Sequence, residues 1–298
     1  MHPIVALVLC ALLWSGGGVM VKLTSWDALC IAGTRALLAM LVVSAVFRRL
    51  PRLWVRASDG HIDRAATFNL LLGAICYAAT MILFVCATKL TTAANAILLQ
   101  YTNPVYIILF GPLLTHEKND AVDYAAVIGI MAGMILLLSG DLHFSGGDRA
   151  ALLGNALALL SGITYGFTTM FLRRQKDAHP ADSLNLSNLL AFLFALPFIV
   201  RAGLPADRLS YIGLFVLGVF QIGLPSVLLS LGISRLPALS TVIITMIEPM
   251  MNPVWVALAV GELPSKSAAS GGLVILACIV AHVAIKAQLA RKRLQRSA

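Results

Sequence analysis

A chain of 298 residues that is 59% hydrophobic and only 12% charged cannot cover a soluble globule of its size, which needs roughly a quarter of its residues charged. The formal charge of +9 does not point to nucleic acid, because the basic residues stand in short clusters between apolar runs, without a basic helix face or an aromatic stacking platform. The lipid bilayer is therefore the expected main solvent.

The first apolar run, about 3–22, has only Met1 and His2 before it. It lacks the basic leader of a secretory signal and reads as a retained first span. A crossing needs about 20 mainly apolar residues. Nine further segments qualify, at about 28–47, 67–88, 92–114, 122–140, 150–172, 183–201, 209–231, 238–260 and 267–286. The fold class is thus an all-α membrane protein of ten transmembrane helices. Span one carries Trp14 and the Gly16-Gly17-Gly18 run, and span two carries Arg35, whose depth is shallow enough for the side chain to snorkel. Span four contains Gln100, Tyr101, Asn103 and Pro104. Gly129 and Gly133 in span five, with Gly271 and Gly272 in span ten, suit close helix approach. Tyr165 lies in span six, Gly223 and Pro225 in span eight, Glu248 and Pro249 in span nine, and His282 near the inner end of span ten. Cys10, Cys30, Cys76, Cys86 and Cys278 all lie in apolar segments, with no CxxC pair and no His at metal spacing. They read as small packing residues, and no metal or cofactor is expected.

Orientation follows from the basic residues. With the N-terminus inside, fifteen of the 22 basic residues fall on the inner side, led by Arg48, Arg49, Arg52, Arg56 and Arg64 in the longest connection. The positive-inside bias places both termini in the cytoplasm, agrees with an even span count and accounts for the net charge.

The halves repeat, 1–144 against 145–298. Gln100-Tyr101-Thr102-Asn103-Pro104 in span four corresponds to Thr245-Met246-Ile247-Glu248-Pro249 in span nine at an offset of 145, and the same offset sets Glu117 on Glu262. Trp14 through Lys22 matches Tyr165 through Arg173 at an offset of 151. Five spans per half is an odd number, so the second half enters the membrane from the opposite side, an inverted repeat that places a binding site at the midplane in transporter folds.

These residues carry a family resemblance. Leu13-Trp14-Ser15-Gly16 with Lys22, Arg35-Ala36-Leu37-Leu38-Ala39, Gln100 through Pro104, Glu248-Pro249 and Gly261-Glu262, taken in order, resemble the EamA-type family of the drug/metabolite transporter superfamily over nearly the whole chain. Thr115-His116-Glu117 departs from the Gly-Glu expected in the first half. The resemblance implies a bacterial inner-membrane exporter of metabolites, amino-acid-like or drug-like solutes, with its pocket between the repeats.

Glu248 is the only acid deep in an expected span, and a charge there should face protein or water. Thr241, Thr245, Glu248 and Asn252 fall on one stripe of a continuous helix. Gln100 and Asn103 map onto Thr245 and Glu248, so two polar faces are expected to meet. Pro104 and Pro249 break their helices and free the carbonyls of Gln100 and Thr245. Glu248 admits three roles: binding an amine of the solute, proton coupling, or a structural ion pair with Arg35. For Arg35 a structural or gating part is favoured. Trp14, Tyr101 and Tyr165, with Tyr77 and Trp255, form an aromatic wall or serve packing. The expected activity is secondary transport of a small solute by alternating access, without a nucleotide-binding module. A solute channel remains the main alternative. A membrane scaffold is less favoured, as is an intramembrane enzyme, for which no HExxH, GxSxG or paired intramembrane aspartates are present.

Overall fold

The computed structural model describes residues 1–57, 59–139, 149–205, 207–260 and 266–297, and side chains within that set except those of 18, 19, 22, 252, 253, 256–260 and 290–297. The expected repeat boundary at 144/145 and the Gly261-Glu262 pair lie outside the described residues, as do the side chains of Lys22 and Asn252. Among the described residues the chain is helical, with one isolated antiparallel bridge between Arg56 and Ile62.

In chain order the helices are α1 (Pro3–Trp14), α2 (Gly17–Leu23), α3 (Ala28–Phe47), α4 (Arg64–Leu90), α5 (Ala93–Gln100), α6 (Asn103–Leu114), α7 (Ala121–Leu138), α8 (Arg149–Arg174) and α9 (Pro180–Ala202). They continue with α10 (Arg208–Phe215), a π-helical stretch (Val216–Gly223), α11 (Leu224–Ile233), α12 (Ala238–Thr245), α13 (Ile247–Val260) and α14 (Lys266–Ser297). Counting Ala93–Leu114 and Arg208–Ile233 as single crossings, eight helices among the described residues are long and apolar enough to span a bilayer, and Pro3–Trp14 and Ala238–Met251 are shorter apolar helices. The eight coincide with the second to eighth and tenth expected spans. Many large apolar side chains on them, such as Leu109, Ile128, Val200 and Leu273, are exposed, as lipid-facing surface must be.

Helix starts are set by local chemistry. The Asp63 carboxylate accepts from the backbone of Ala66 at the start of α4, and Thr92 accepts from Asn95 at the start of α5. Asp120 and Asp123 form a reciprocal capping box on α7, which satisfies two backbone donors left open at a helix start.

The first and ninth expected spans are matched by helices shorter than a full crossing, Pro3–Trp14 and Ala238–Met251; the break at Pro249 was expected and the one after Trp14 was not. α1 stops at Trp14, and the Ser15 hydroxyl turns back to donate to the Leu12 carbonyl at 2.6 Å while accepting from the Trp255 indole at 2.6 Å. α12 stops at Thr245 and α13 begins at Ile247. Both breaks fall where a backbone group is diverted, at a serine followed by glycines in one case and one turn ahead of Pro249 in the other.

The most extensive packing joins α4 to α8, α7 to α14, α3 to α9, α4 to α9, α1 to α11 and α3 to the π stretch; α5 and α6 also pack on α8, and α12 and α13 on α1. Gly133 and Gly271 face each other where α7 meets α14: a Cβ at Gly271 would lie 2.6 Å from the Gly133 carbonyl. At the basic end of that pair His282 lies 2.8 Å from Asp123, and the Lys286 ammonium donates to Asp120 and Asp123 at 2.8 and 2.7 Å. His282, midway along α14, thus bonds to the first turn of α7.

Candidate functional site

Helix interruptions converge on one cavity of about 50 Å³, lined mostly by buried side chains. α1 supplies Trp14 where it breaks, α3 supplies Arg35, and the π stretch supplies Gln221 and Ile222. α4 contributes Tyr77, Thr80, Met81 and Phe84 along one face, α8 contributes Tyr165, and the broken spans contribute Gln100, Tyr101 and Glu248.

The break between α5 and α6 follows from Pro104, which has no N–H to offer the carbonyl one turn earlier. The Gln100 carbonyl that Pro104 frees, and the Leu99 carbonyl beside it, lie against α8. There Gly162 permits contact: a Cβ at that position would lie 2.7 Å from the Gln100 oxygen and 2.8 Å from that of Leu99. The Thr102 hydroxyl donates to the Leu99 carbonyl at 2.7 Å. With the helix opened, Gln100 reaches Ser161 at 2.9 Å, and Ser161 donates onward to the Thr80 carbonyl at 3.1 Å. Pro249 acts alike on the other half, and the Met246 N–H is shared between the carbonyls of Val242 and Ile243.

The charges sit on different walls. The Tyr101 hydroxyl donates to the Glu248 carboxylate. Arg35 is 2% exposed, and its guanidinium donates to the Gln221 side-chain oxygen at 3.2 Å and to the Met81 carbonyl at 3.3 Å, leaving Nε without a partner among the described residues. Snorkelling is thereby corrected: two turns into α3, inward partners hold the side chain among the helices. The structural pair with Glu248 is also absent, since no ion pair joins the two among the described residues. Trp14 and Tyr165, the aromatics matched between the halves by sequence, meet edge to face with centroids 6.2 Å apart, a favoured geometry for two π systems.

Of the site residues expected from sequence, the structure brings together Trp14, Arg35, Gln100, Tyr101, Tyr165 and Glu248. Asn103 and Thr245 do not line the cavity. Asn103 is fully buried with neither amide atom partnered among the described residues, and the Thr245 hydroxyl folds back on the Val242 carbonyl at 2.9 Å. The stripe expected from Thr241 to Asn252 is interrupted at Met246, between α12 and α13, and the side chain of Asn252 lies outside the described residues. Gln221 was missed. A lone glutamine in Val216-Leu217-Gly218-Val219-Phe220-Gln221-Ile222 was the available signal. Gly17 gives it room, since a Cβ there would lie 2.4 Å from the Gln221 amide nitrogen.

The basic end of the bundle carries a cross-link between distant segments. Glu117, after α6, pairs with the Arg173 guanidinium at 2.6 Å and accepts from the backbone N–H of Ala238 at 3.0 Å, where α12 starts. Arg173 also donates to the carbonyls of Ile233 and Ser234 at 3.0 and 3.1 Å. Four helix ends are clasped by these two side chains.

Comparisons with known proteins agree with this picture. The model of the EamA-like transporter family matches residues 1–139 and 152–283. A protein from Archaeoglobus fulgidus named as an uncharacterized transporter is 26% identical over 278 residues, covering 92% of this chain and 94% of its own. A second from the same organism, with the same name, is 24% identical over 288 residues, covering 93% and 94%. A solved structure described only as the crystal structure of a protein matches with a TM-score of 0.76 at 16% identity, covering 94% of this chain and 98% of the other, a likeness of fold alone. With family matches in both halves, the chain belongs to the EamA-like transporter family and is a multi-pass membrane transporter.

Proposed function

We propose that this protein is a secondary transporter that moves a small zwitterionic, amino-acid-like solute by alternating access between two inverted five-helix repeats. The observation that carries the reading is that Arg35 and Glu248 line one cavity without pairing with each other. Opposite charges held apart in a low-dielectric site can receive a carboxylate and an ammonium, and removal of either then leaves a buried charge exposed to loss. Trp14, Tyr77 and Tyr165 add aromatic faces beside Glu248 for the cationic part.

The helix contacts support the repeat. Exchange each span with the one five places on, and α4–α8 becomes α11–α1, α4–α9 becomes the π stretch and α11 with α3, and α5/α6–α8 becomes α12/α13–α1, while α3–α9 and α7–α14 map on themselves. That self-consistency favours ten crossings, with α1–α2 and α12–α13 completing the first and ninth. The excess of basic residues at one end favours cytoplasmic termini, and the family likeness favours export. The cavity supports a carrier over a pore: about 50 Å³ holds no more than a few waters, so a solute enters only as the helices move.

Proton coupling is part of the proposal, with Glu248 exchanging its Tyr101 bond for a proton or the solute ammonium. In proteoliposomes, labelled zwitterionic amino acids should show saturable counterflow. Glu248→Gln should abolish uptake driven by a pH gradient, and it should raise the solute concentration that half-saturates exchange, because the ammonium loses its counter-charge. Undiminished gradient-driven uptake in that variant overturns the coupling, and unsaturated electrical conductance overturns the carrier.

A further inference from the structure

We propose that the connection between α3 and α4 forms a binding site for the phosphate of an anionic phospholipid headgroup. The proposal needs only that the chain is membrane-embedded and does not depend on the solute reading above.

The connection is built rather than loose. α3 ends on Arg48 in the left-handed conformation, φ 51°, and Asn185 of α9 donates to the Arg49 carbonyl at 3.1 Å. The Val55 N–H bonds to the Thr67 hydroxyl at 3.0 Å, the Asp63 N–H to the Val55 carbonyl at 2.9 Å, and the Ala57 N–H to the His61 carbonyl at 2.8 Å. Between this platform, the end of α8 and the start of α9 lies a cavity of about 700 Å³, lined by Arg49, Arg52 and Arg56. None of the three pairs with a carboxylate among the described residues, and the buried Nη1 of Arg49 has no partner. Asp182 and His179 also face the cavity, so the acid present is outnumbered three to one by arginines.

Three arginines without counter-ions around one cavity suit a phosphate, which the guanidinium fork bonds bidentately. The rim selects a lipid as its source. Leu53 and Trp54, which line the cavity at 53% and 50% exposure, stand on the same connection between the end of α3 and the start of α4. Trp and long apolar side chains at helix ends sit at the membrane interface. A headgroup seated among the arginines leaves its acyl chains against that rim, and basic pockets at helix ends are suited to such headgroups.

Native mass spectrometry of the detergent-purified protein, titrated with phosphatidylglycerol or phosphatidylcholine, tests the site. Arg52 and Arg56 are exposed, so Arg52→Gln/Arg56→Gln should fold, which thermal unfolding in phosphatidylcholine nanodiscs verifies. Phosphatidylglycerol should bind more tightly than phosphatidylcholine, and the double variant should weaken it about thirty-fold, at roughly five-fold per arginine. Arg201→Gln/Arg208→Gln, which removes two positive charges elsewhere, should leave it unchanged. Equal binding of the two lipids, an unaffected Arg52/Arg56 variant, or equal loss in the Arg201/Arg208 control overturns the proposal. Soluble glycerol 3-phosphate competing as well as the lipid assigns the cavity to free phosphate compounds and overturns it as well.

Discussion

Gln221 holds the most consequential position among the single residues, because it is the side-chain acceptor for a guanidinium that no carboxylate neutralises. Replacing it with leucine leaves Arg35 with the Met81 carbonyl alone. A buried donor so stranded costs about 1–3 kcal/mol, and Gln221→Leu should lower thermal stability in detergent while Gln221→Glu restores or exceeds it. An unchanged melting temperature for the leucine variant would mean that water takes the vacated bond. Sequence reasoning found the acid, the glutamine at position 100 and the aromatics because polar groups in apolar spans are conspicuous and because the repeat pairs them. It missed Gln221 because a single polar residue in an otherwise apolar run carries no sign of which way it faces. It misjudged Arg35 because depth along a helix is legible in sequence, whereas the inward partners that hold a long side chain are contributed by other helices.

At the scale of elements, the site depends on helices that are cut open. Both prolines and the residues they displace were legible, since a missing N–H frees a carbonyl wherever the proline sits. The break after α1 and the π stretch were not, because each depends on contacts, the Trp255 indole on Ser15 and the fit of Gln221 against Gly17. A π turn is a frequent mark of functional helices, and here it aims Gln221 at the cavity. The last two carbonyls of α5 make Gly162 the most exacting position on α8. Gly162→Ala would press a methyl group against two backbone oxygens at 2.7 and 2.8 Å, neither of which is a flexible side-chain end. Overpacking of this kind costs about 1–3 kcal/mol. That variant should lose stability and solute binding together, measured by thermal unfolding with and without added amino acid; binding lost at unchanged stability would relocate the effect to the cavity itself.

For the whole molecule, the clasp formed by Glu117 and Arg173 is the feature that the proposed alternating-access mechanism would have to act on most directly. It fastens the segment after α6 to the ends of α8, α11 and α12 at the basic end, so passage through that end requires it to part. Glu117→Gln should shift the population toward forms open there by roughly tenfold, the effect of about 1.4 kcal/mol. A cysteine introduced at Ser240, 9% exposed, should then react faster with a water-soluble maleimide, and an unaltered labelling rate would show that the clasp is only a helix cap. The architecture of apolar spans was legible because lipid imposes length and composition, while a cross-link between loops far apart in sequence was not. The smallness of the cavity has one further consequence. A form with space for only a few waters must be abandoned before any cargo is seated, so measured affinity is the intrinsic affinity discounted by the rarity of the expanded form. Substitutions that make the protein hardier by tightening its resting shape will therefore make it a poorer binder, although they touch nothing the cargo touches.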